Sequence, residues 1–384
     1  MSAPPVLPLE NIRVVEIAQN LAGPMAAEIL AHMGADVVKV ERPEGDDARG
    51  WGPPFWNGVS PAYLAMNSDK RGITLDLKDP TDVAWLMEEV GRSDILVHNM
   101  RPGVMEELGL GPDVMLAKNP RLIYAAIWAL GRTGPLKLNP GFEPMVQAFS
   151  GLMAMNGDED SPPTRVGTSL LDFGTGMWAA MGALAGIIQR GRTGKGCVVD
   201  ASLLETALGW LTGHYASYRI SGEVPVRHRT GSSRLIPFEG FETKNGEIII
   251  AAGNDRLFAK LAAALGHPEW ATDPRYAKNT GRSANKADIL GKIREIIATR
   301  TKGEWVDILE AAGVPCAPIH SLPEIVEHPQ TKAISMLQPV PGANDLELVA
   351  LPLNFDGEKP RIRRAPPKLG EHNAEIRGTR EARS

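Results

Sequence analysis

A single carboxylate stands in a long uncharged stretch of this sequence. Asp172 is the only charged residue between Val166 and Ile188, where glycine, alanine and aliphatic side chains dominate. Burying a lone carboxylate is costly, so the residue needs either a structural partner or a chemical task. If Asp172 caps the helix that follows, first-turn N–H groups and the helix dipole keep it ionised at neutral pH. An ionised carboxylate is also what a carboxylate nucleophile requires, so both interpretations stay open at this point.

The first loop of the chain meets only part of the requirements for a nucleotide site. Residues 19–23 lie between a strand and a helix start, and Glu41 ends the next strand, where a ribose-binding acid would stand. The loop carries one glycine, Gly23, whereas the dinucleotide fingerprint G-x-G-x-x-G needs glycines for the turn, the close approach and the packing. The sequence therefore disfavours an NAD-type site, and it contains no Walker sequence.

The histidines and cysteines match no metal or nucleophile motif. The eight histidines, at positions 32, 98, 214, 228, 267, 320, 328 and 372, include no pair at the i, i+4 spacing. Neither a Gly-x-Ser-x-Gly elbow nor a local cysteine–histidine signature occurs. Cys197 and Cys316 cannot build a disulfide framework, and we expect no secretory leader ahead of Leu9. We therefore expect no metal and a reducing, cytoplasmic location.

The elements that position Asp172 alternate between strand and helix in the first third of the chain. Pro24 and Gly34 are the start and stop signals of the first helix. Strand, helix and strand at this spacing form parallel pairs, which predicts an α/β fold with an open parallel, Rossmann-like sheet. The predicted strands are 12–17, 36–41, 73–77, 94–97 and 122–128, with helices at 24–34 and 79–91.

From Gly141 onward the sequence pattern becomes helical, and a second domain of mixed strands and helices is predicted after it. Helices are predicted from Gly141 to Gly194 and from about 200 to 220, followed by a linker. A hairpin around Asn245-Gly246 and three helices then predict a smaller α+β domain. Six prolines from Pro339 to Pro367 argue against a helical tail, which we expect to pack on the first domain. The predicted ranges are 1–223 for the large domain, 224–325 for the small domain and 326–384 for the return segment.

Composition and charge exclude several classes of protein. The 384 residues are 43% apolar and 23% charged, as in a globular chain of two or three domains and not in a disordered or coiled-coil protein. The formal charge is −5, and the body of the chain lacks the basic face of a nucleic-acid binder. The longest predominantly apolar run without a charge, Phe173–Ile188, is shorter than the roughly 20 residues of a membrane span. We therefore expect neither nucleic acid nor membrane as a partner.

Several stretches, in order along nearly the whole chain, resemble the family III CoA-transferases, the group of carnitine CoA-transferase and formyl-CoA:oxalate CoA-transferase. The stretches are Asn11-Ile12-Arg13-Val14-Val15-Glu16, Ala22-Gly23-Pro24, Gly34 to Pro43, Asp69-Lys70-Arg71, Asn99 to Gly103, Leu171-Asp172 and Lys368-Leu369-Gly370-Glu371-His372.

The resemblance implies a function and an assembly. It implies an enzyme that moves CoA from an acyl-CoA donor to a free carboxylic acid, including a dicarboxylic acid, with acyl-CoA as substrate and no permanently bound cofactor. Asp172 aligns with the family's nucleophile, which reacts through an aspartyl anhydride and an aspartyl-CoA thioester. Glu143 aligns with an acid near the reacting centre, although a helix-start acid facing water is the alternative. The family's chains form an interlocked, ring-like homodimer.

The resemblance also implies binding residues. Cationic side chains neutralise phosphates, so Arg42 and Lys78 are expected to contact those of CoA. Backbone N–H groups of the loop that corresponds to the family's glycine-rich lid would stabilise the oxyanions, and Arg234 or Arg229 would hold a second carboxylate of the acceptor. The implied CoA contacts are Ala22, Arg42, Leu75, Lys78, Asn99, Met100 and Arg101, and the loop consists of Gly231, Ser232, Ser233 and Arg234.

Three departures from the family pattern narrow the function. Leu21 and Ala62 stand where the oxalate enzyme has a glutamine and a tyrosine, and the lid is shortened, so oxalate is not the favoured acceptor. The α-methylacyl-CoA racemases of the same superfamily use a histidine for proton transfer. Phe142 stands at that position, so a transferase is favoured over a racemase. A CoA-binding protein without turnover is the non-enzymatic alternative.

Overall fold

The structure, a computed structural model, describes residues 7–232 and 234–378 and divides into two compact units. The larger unit contains the described residues up to Met153, then Arg165–Glu223 and those from Pro329 onward. The smaller contains Ala154–Thr164 and Val224–His328. The grouping of Ala154–Thr164 with the smaller unit was not expected from the sequence, and the three domain ranges themselves stay a prediction.

A six-stranded sheet forms the centre of the larger unit. All of its pairings are parallel, and the strand order is β3-β2-β1-β4-β5-β6. This arrangement confirms the predicted α/β class with an open parallel sheet. The strands are β1 (Arg13–Ile17), β2 (Asp36–Glu41), β3 (Lys70–Thr74), β4 (Ile95–His98), β5 (Ile123–Trp128) and β6 (Cys197–Ser202).

Helices cover both faces of this sheet, because strands such as β4 and β5 bury side chains on both sides. One core contains Val14, Val37 and Val97 beneath the first helix, and the opposite core contains Val15, Val38 and Leu96. The helices of the larger unit up to residue 223 are α1 (Ala22–His32), α2 (Pro61–Leu64), α3 (Pro80–Gly91), α4 (Val104–Glu107), α5 (Pro112–Lys118), α6 (Glu143–Phe149), α7 (Leu170–Thr193), α8 (Leu203–Trp210) and α9 (Thr212–Ser221).

Helix α7 is the longest helix and packs against α1 through small residues. A Cβ atom at Gly176 would lie 2.7 Å from the Ala22 carbonyl oxygen, so only glycine permits this approach of the two backbones. Within the described part of the chain, α7 alone is long and apolar enough to cross a membrane by length and composition. Its residues Ala179, Ala180 and Ala183 belong instead to the core of the larger unit.

The structure corrects the predicted elements at several points. The helical region predicted from Gly141 to Gly194 is interrupted between α6 and α7, and the helix predicted from about 200 begins only after strand β6. Val198 and Val199 form too short an aliphatic run to indicate a strand. Strand β6 forms because this segment pairs with β5. Strand β3 lies three residues earlier than the predicted 73–77.

The smaller unit has a three-stranded antiparallel sheet of order β7-β8-β9. The predicted hairpin is confirmed, and Gly246 at its turn has a φ of 134°, which favours glycine. Phe241, Ile248 and Ile250 of the sheet share a core with Phe258 and Trp305 of the helices. The elements are β7 (Phe238–Thr243), β8 (Gly246–Ala251), β9 (Cys316–Pro318), α10 (Asp255–Ala264), α11 (Asn279–Ala284), α12 (Lys286–Ile297), α13 (Lys302–Ala311) and α14 (Leu322–Glu327).

The return segment is anchored to the larger unit by backbone and side-chain hydrogen bonds. The Asp69 carboxylate accepts from the backbone N–H groups of Arg363 and Arg364, both at 2.7 Å. At the edge of β3, the Gly72 N–H donates to the His372 Nδ1. The segment also contains a hairpin and short helices that its prolines did not indicate: α15 (Pro329–Ala333), β10 (Leu337–Val340), β11 (Ala343–Val349) and α16 (Asn373–Gly378).

Candidate active site

A cleft opens at the carboxyl ends of β1, β4 and β5. Strands β1 and β4 are neighbours, and the strand order reverses between them, which in open parallel sheets is where ligands bind. The cleft has a cavity volume of about 200 Å³. Its lining includes Gln19, Asn20, Leu21, Ala22, Trp51, Asn99, Met100, Arg101, Trp128, Lys137, Phe142, Glu143 and Asp172.

Asp172 lies in the first turn of α7 and lines this cleft. Its side chain accepts no hydrogen bond from any residue between 7 and 232 or between 234 and 378, and Ser169 is the N-cap residue of α7. The carboxylate therefore does not cap the helix, which was one of the two interpretations of the sequence. The position leaves the carboxylate facing the cleft from the end of a rigid helix.

The surroundings of Asp172 favour its neutral form. Burial and, second to it, the negative charge of Glu143 raise the pKa of this carboxyl from 3.8 to about 7, against the opposing effect of Arg165. The expectation of a firmly ionised, capped carboxylate was therefore wrong. The cause is desolvation without a hydrogen bond to the carboxylate from the described residues. A carboxylate that is weakly solvated and relatively basic is a stronger nucleophile once it is ionised.

Glu143 is the first residue of α6 and is only 3% exposed. Its Oε1 atom accepts from Gln147 Nε2 at 2.5 Å and from the Leu171 backbone N–H at 3.4 Å. Its Oε2 atom lies 3.1 Å from the Arg165 guanidinium. Glu143 therefore does not face water, and it contacts the residue next to Asp172.

Gln147 and Arg165 were not singled out in the sequence. The Gln147 side chain is fully buried; its Oε1 accepts from the Val166 N–H at 3.0 Å and its Nε2 lies 3.3 Å from the Val166 carbonyl. Together with Glu143 it joins the start of α6 to the segment that leads into α7. The i, i+4 spacing of Glu143 and Gln147 was the only available signal, because such residues share one helix face.

The loop between β1 and α1 and the end of β4 are held together on the other side of the cleft. Asn99 Oδ1 accepts from the Gln19 N–H at 3.0 Å, and Asn99 Nδ2 donates to the Gln19 carbonyl at 2.7 Å. Ala22, Asn99, Met100 and Arg101, all expected CoA contacts, line the same cleft as Asp172.

The two cationic side chains that line this cleft in the described part of the chain have no ion-pair partner there. Arg101 is exposed after β4, and Lys137 is exposed in the segment between β5 and α6. Arg101 was expected from the resemblance, whereas Lys137 was not, since nothing in the sequence distinguishes it from other surface lysines. Both leave positive charge available for an anionic substrate.

A second cavity of about 230 Å³ adjoins the cleft, because Gln19 and Met100 line both. Arg42 lines this second cavity, where its guanidinium pairs with Asp47 and its Nε donates to the Gly45 carbonyl at 3.0 Å. Its charge is thus already partly neutralised. Leu77, two residues beyond the expected contact Leu75, also lines this cavity.

The other two expected contacts lie near the end of β3. Leu75 is 1% exposed and its N–H donates to the Glu41 carbonyl, so the whole residue is buried in the core. Lys78 is exposed, and within the described residues its side chain has no ion-pair partner. Neither residue lines the two cavities described above.

The expected oxyanion loop belongs to the smaller unit. Ser232 Oγ accepts from the backbone N–H groups of Arg234 and Leu235, at 3.1 and 3.2 Å, while Gly231 donates its N–H to the His228 carbonyl. Ser233 lies outside the described residues. Arg229 pairs with Glu247 and lies 3.7 Å from Asp158, so it is already neutralised. Among the described residues, no group of three His, Cys, Asp or Glu side chains is placed to hold a metal ion.

Comparison with known proteins gives consistent matches over the whole chain. A sequence model of the family described as CoA-transferase family III matches residues 9–373. The chain is 34% identical over 372 residues to the succinyl-CoA:glutarate CoA-transferase of Mus musculus, covering 96% of this chain and 85% of that protein. It is 36% identical over 378 residues to the acetyl-CoA:oxalate CoA-transferase of Acetobacter aceti, covering 98% and 96%. The crystal structure of a CAIB/BAIF family protein from Brucella suis matches with a TM-score of 0.89 at 34% identity, covering 98% of this chain and 100% of that chain.

Proposed function

Because this chain belongs to CoA-transferase family III, we propose that it transfers CoA from an acyl-CoA donor to a free dicarboxylic acid, with Asp172 as the nucleophile. The observation that carries the proposal is the position of Asp172. Its carboxylate has no hydrogen-bond partner among the described residues, and it lines the cleft at the strand-order reversal together with Ala22, Asn99 and Arg101.

The reaction needs two exchanges at the Asp172 carboxylate. The carboxylate attacks the thioester carbonyl, the C–S bond breaks, and a mixed anhydride and the CoA thiolate result. The thiolate attacks the aspartyl carbonyl, which releases the donor acid and leaves an aspartyl-CoA thioester. The acceptor carboxylate then expels the thiolate to give a second anhydride, and thiolate attack on the acceptor carbonyl regenerates Asp172.

Glu143 supports this chemistry as a neighbour of the nucleophile. Its negative charge raises the pKa of Asp172, and its hydrogen bond to the Leu171 N–H holds the start of α7. With a pKa of about 7, Asp172 is ionised in only part of the molecules at neutral pH. We therefore expect kcat/KM to rise with pH through this value.

Binding of the two substrates uses the cations and the first loop. We assign Ala22, Asn99, Met100 and Arg101 to acyl-CoA in the cleft and Arg42 and Lys78 to its phosphates. Leu75, which is buried, supports this site from the core. Lys137 lines the same cleft as Asp172 and is our choice for the second carboxylate of the acceptor, with Arg234 as the alternative in the smaller unit. The relatives named for glutarate and oxalate act on dicarboxylic acids, which supports this class.

Oxyanion stabilisation, assembly and location complete the proposal. We assign stabilisation of the tetrahedral intermediates to the loop that begins at Gly231, through the Ser232 N–H, because the Gly231 N–H already donates to the His228 carbonyl. We propose a homodimer, because large apolar side chains are exposed on α7 and α9, namely Trp178, Met181, Ile188 and Tyr215. Exposed apolar surface of this kind is typical of subunits that bury it against a partner. Both cysteines are free, which supports a reducing, cytoplasmic location.

The test is transfer by Asp172 variants. Asp172→Asn and Asp172→Ala should retain less than about a hundredth of wild-type turnover, a loss of roughly 3 kcal/mol in transition-state stabilisation, while CoA still binds. Borohydride or hydroxylamine added during turnover should modify the Asp172 peptide in the wild type only. Retained turnover, or an unmodified peptide during turnover, would overturn the assignment.

Two further measurements distinguish the transferase from a CoA-binding protein without turnover and from a racemase. Exchange of labelled CoA into acyl-CoA distinguishes an enzyme from a CoA-binding protein without turnover, because only a competent nucleophile exchanges the label. Release of an α-proton from 2-methylacyl-CoA into deuterated water would indicate a racemase. Phe142, which is 62% exposed at the cleft, cannot transfer a proton, so we expect no such exchange.

A further inference from the structure

A cluster of charged side chains is buried directly behind the loop that joins β1 to α1. We call Glu16, Lys39, Asp46 and Lys70 the buried ion cluster; the first, second and fourth are 0% exposed and Asp46 is 5% exposed. They come from β1, β2, the following loop and β3, and two cations balance two carboxylates. None of them lines the cleft that contains Asp172.

Lys39 joins three different parts of the chain. Its Nζ atom lies 3.0 Å from each of Glu16 Oε1, Asp46 Oδ2 and the Ala18 carbonyl oxygen. Burial opposes the charge on Lys39, but the surrounding carboxylates outweigh this and raise its pKa. The ammonium group therefore donates all three of its hydrogens, one of them to the backbone where the first loop begins.

Lys70 repeats this arrangement at the first turn of α1, just beyond the loop. Its Nζ atom lies 2.7 Å from Glu16 Oε2 and donates to Asn67 Oδ1 and to the Pro24 carbonyl, both at 2.9 Å. Burial lowers the pKa of Lys70, and its amine has N–H groups to donate in either protonation state. Glu16 thus bridges the two lysines, with one carboxylate oxygen toward each.

Asp46 fixes the middle of the same loop. Its Oδ1 atom accepts from the Asn20 backbone N–H at 3.0 Å, while its Oδ2 atom accepts from Lys39. The cluster therefore holds residues 18–24 at three backbone points: the Ala18 carbonyl, the Asn20 N–H and the Pro24 carbonyl. The opposite side of the loop faces the cleft through Gln19 and Ala22.

Stability alone gives little reason for this design. Moving one charged side chain from water into the core costs on the order of several kcal/mol. Well-packed apolar side chains of similar size at the same positions often stabilise a fold at least as well as a buried ion pair. An apolar core, however, has no donors or acceptors with which to fix a loop backbone. We propose that Lys39 and Lys70 are positioning residues that set the backbone of residues 18–24, the first loop and the first turn of α1, for acyl-CoA. This role rests on the proposed function for its ligand.

The experiment compares Lys39→Met with Arg190→Met. Arg190 is also a buried cation, 7% exposed, with an ion pair to Asp94 at 2.8 Å and a bond to the Arg121 carbonyl, but these lie at the amino ends of β4 and β5. Both variants should lower the melting temperature. Lys39→Met should raise KM for acyl-CoA about tenfold while kcat changes less than about threefold, and Arg190→Met should leave KM within about twofold.

A second measurement does not depend on activity. Amide hydrogen exchange within residues 18–24 should be at least about tenfold faster in Lys39→Met than in the wild type and unchanged in Arg190→Met. Glu16→Gln, which keeps the shape of the side chain, takes the place of Lys39→Met if that variant does not fold, with the same expected exchange.

The outcomes are distinguishable. If the wild type transfers CoA but Lys39→Met matches Arg190→Met in both KM and loop exchange, the positioning role is wrong and the cluster serves only the fold. If the wild type does not transfer CoA, the proposed function is wrong, and loop exchange still decides whether the cluster orders residues 18–24.

Discussion

Replacing the nucleophile should make the protein more stable, because the fold keeps Asp172 in surroundings that disfavour its charge. The pKa of Asp172 is raised from 3.8 to about 7 by burial and by Glu143. Below about pH 4 the carboxyl is neutral in both the folded and the unfolded chain. Between about pH 4 and pH 7 the unfolded chain is ionised while the folded chain retains the proton, so stability falls as pH rises through this window.

The magnitude follows from the size of the shift. A shift of about 3 pKa units at roughly 1.4 kcal/mol per unit is about 4 kcal/mol, and allowing for the residual exposure of Asp172 leaves about 2–4 kcal/mol above pH 7. Asp172→Asn removes this penalty without changing the shape of the side chain. At roughly 1–3 °C per kcal/mol for a chain of this size, we expect the variant to melt several degrees higher at pH 8.

The assay is thermal unfolding of the wild type and Asp172→Asn at pH 5 and pH 8. The difference between them should grow with pH, because only the wild type gains a buried charge. Asp113→Asn is the matched control, since Asp113 is an exposed aspartate in the first turn of α5. That variant should be less stable by under about 1 kcal/mol. A variant Asp172→Asn that is no more stable than the wild type at pH 8 would refute the reasoning.

The remaining predictions concern the pH profile, substrate recognition and assembly. Glu143→Gln removes the negative charge that helps to raise the pKa of Asp172, an effect worth about 1–2 kcal/mol at moderate dielectric. The rise of kcat/KM with pH should therefore occur about one pH unit lower in this variant. A pH profile that does not move would contradict this prediction. Lys137→Gln should raise KM for a dicarboxylate such as glutarate about tenfold and leave KM for acyl-CoA within about twofold. Arg101→Gln should raise KM for acyl-CoA about tenfold and leave KM for the dicarboxylate within about twofold. Equal effects of both variants on both substrates would argue against separate roles. Mass photometry should find a dimer of twice 41.4 kDa that persists at nanomolar concentration, whereas a folded, active monomer would exclude an interlocked assembly.

Local patterns in the sequence predicted much of the fold. Strand 36–41 and the hairpin at Asn245-Gly246 follow from aliphatic runs and turn residues, because these signals act between near neighbours in the chain. Strand β6 was not predicted, because its pairing with β5 joins residues that lie about seventy positions apart. The hairpin of the return segment, β10 and β11, was missed for a different reason: its strands are neighbours in the chain, but Pro339 and Pro341 argue against strand structure there.

The candidate site also has features that the sequence indicated and features that only the tertiary structure shows. The lone charge in an apolar stretch was enough to single out Asp172, since a carboxylate among apolar neighbours indicates a costly burial by composition alone. Whether that carboxylate is stabilised or destabilised depends on what packs around it, and only the tertiary structure brings Glu143 and Arg165 to it. The sequence therefore identified the residue, but the helix cap from which an ionised carboxylate was expected is not formed, and the pKa is raised instead.

The buried ion cluster shows what only the tertiary structure decided. Glu16, Lys39 and Lys70 stand within stretches that carry the family resemblance, yet nothing in the chain says that they meet. Parallel pairing of β1, β2 and β3 brings the three side chains to one buried point. Sequence alone determined which residue types and which elements exist here. Desolvation and ion pairing depend on distances across the sheet, so the roles of these charges became defined only when the chain folded.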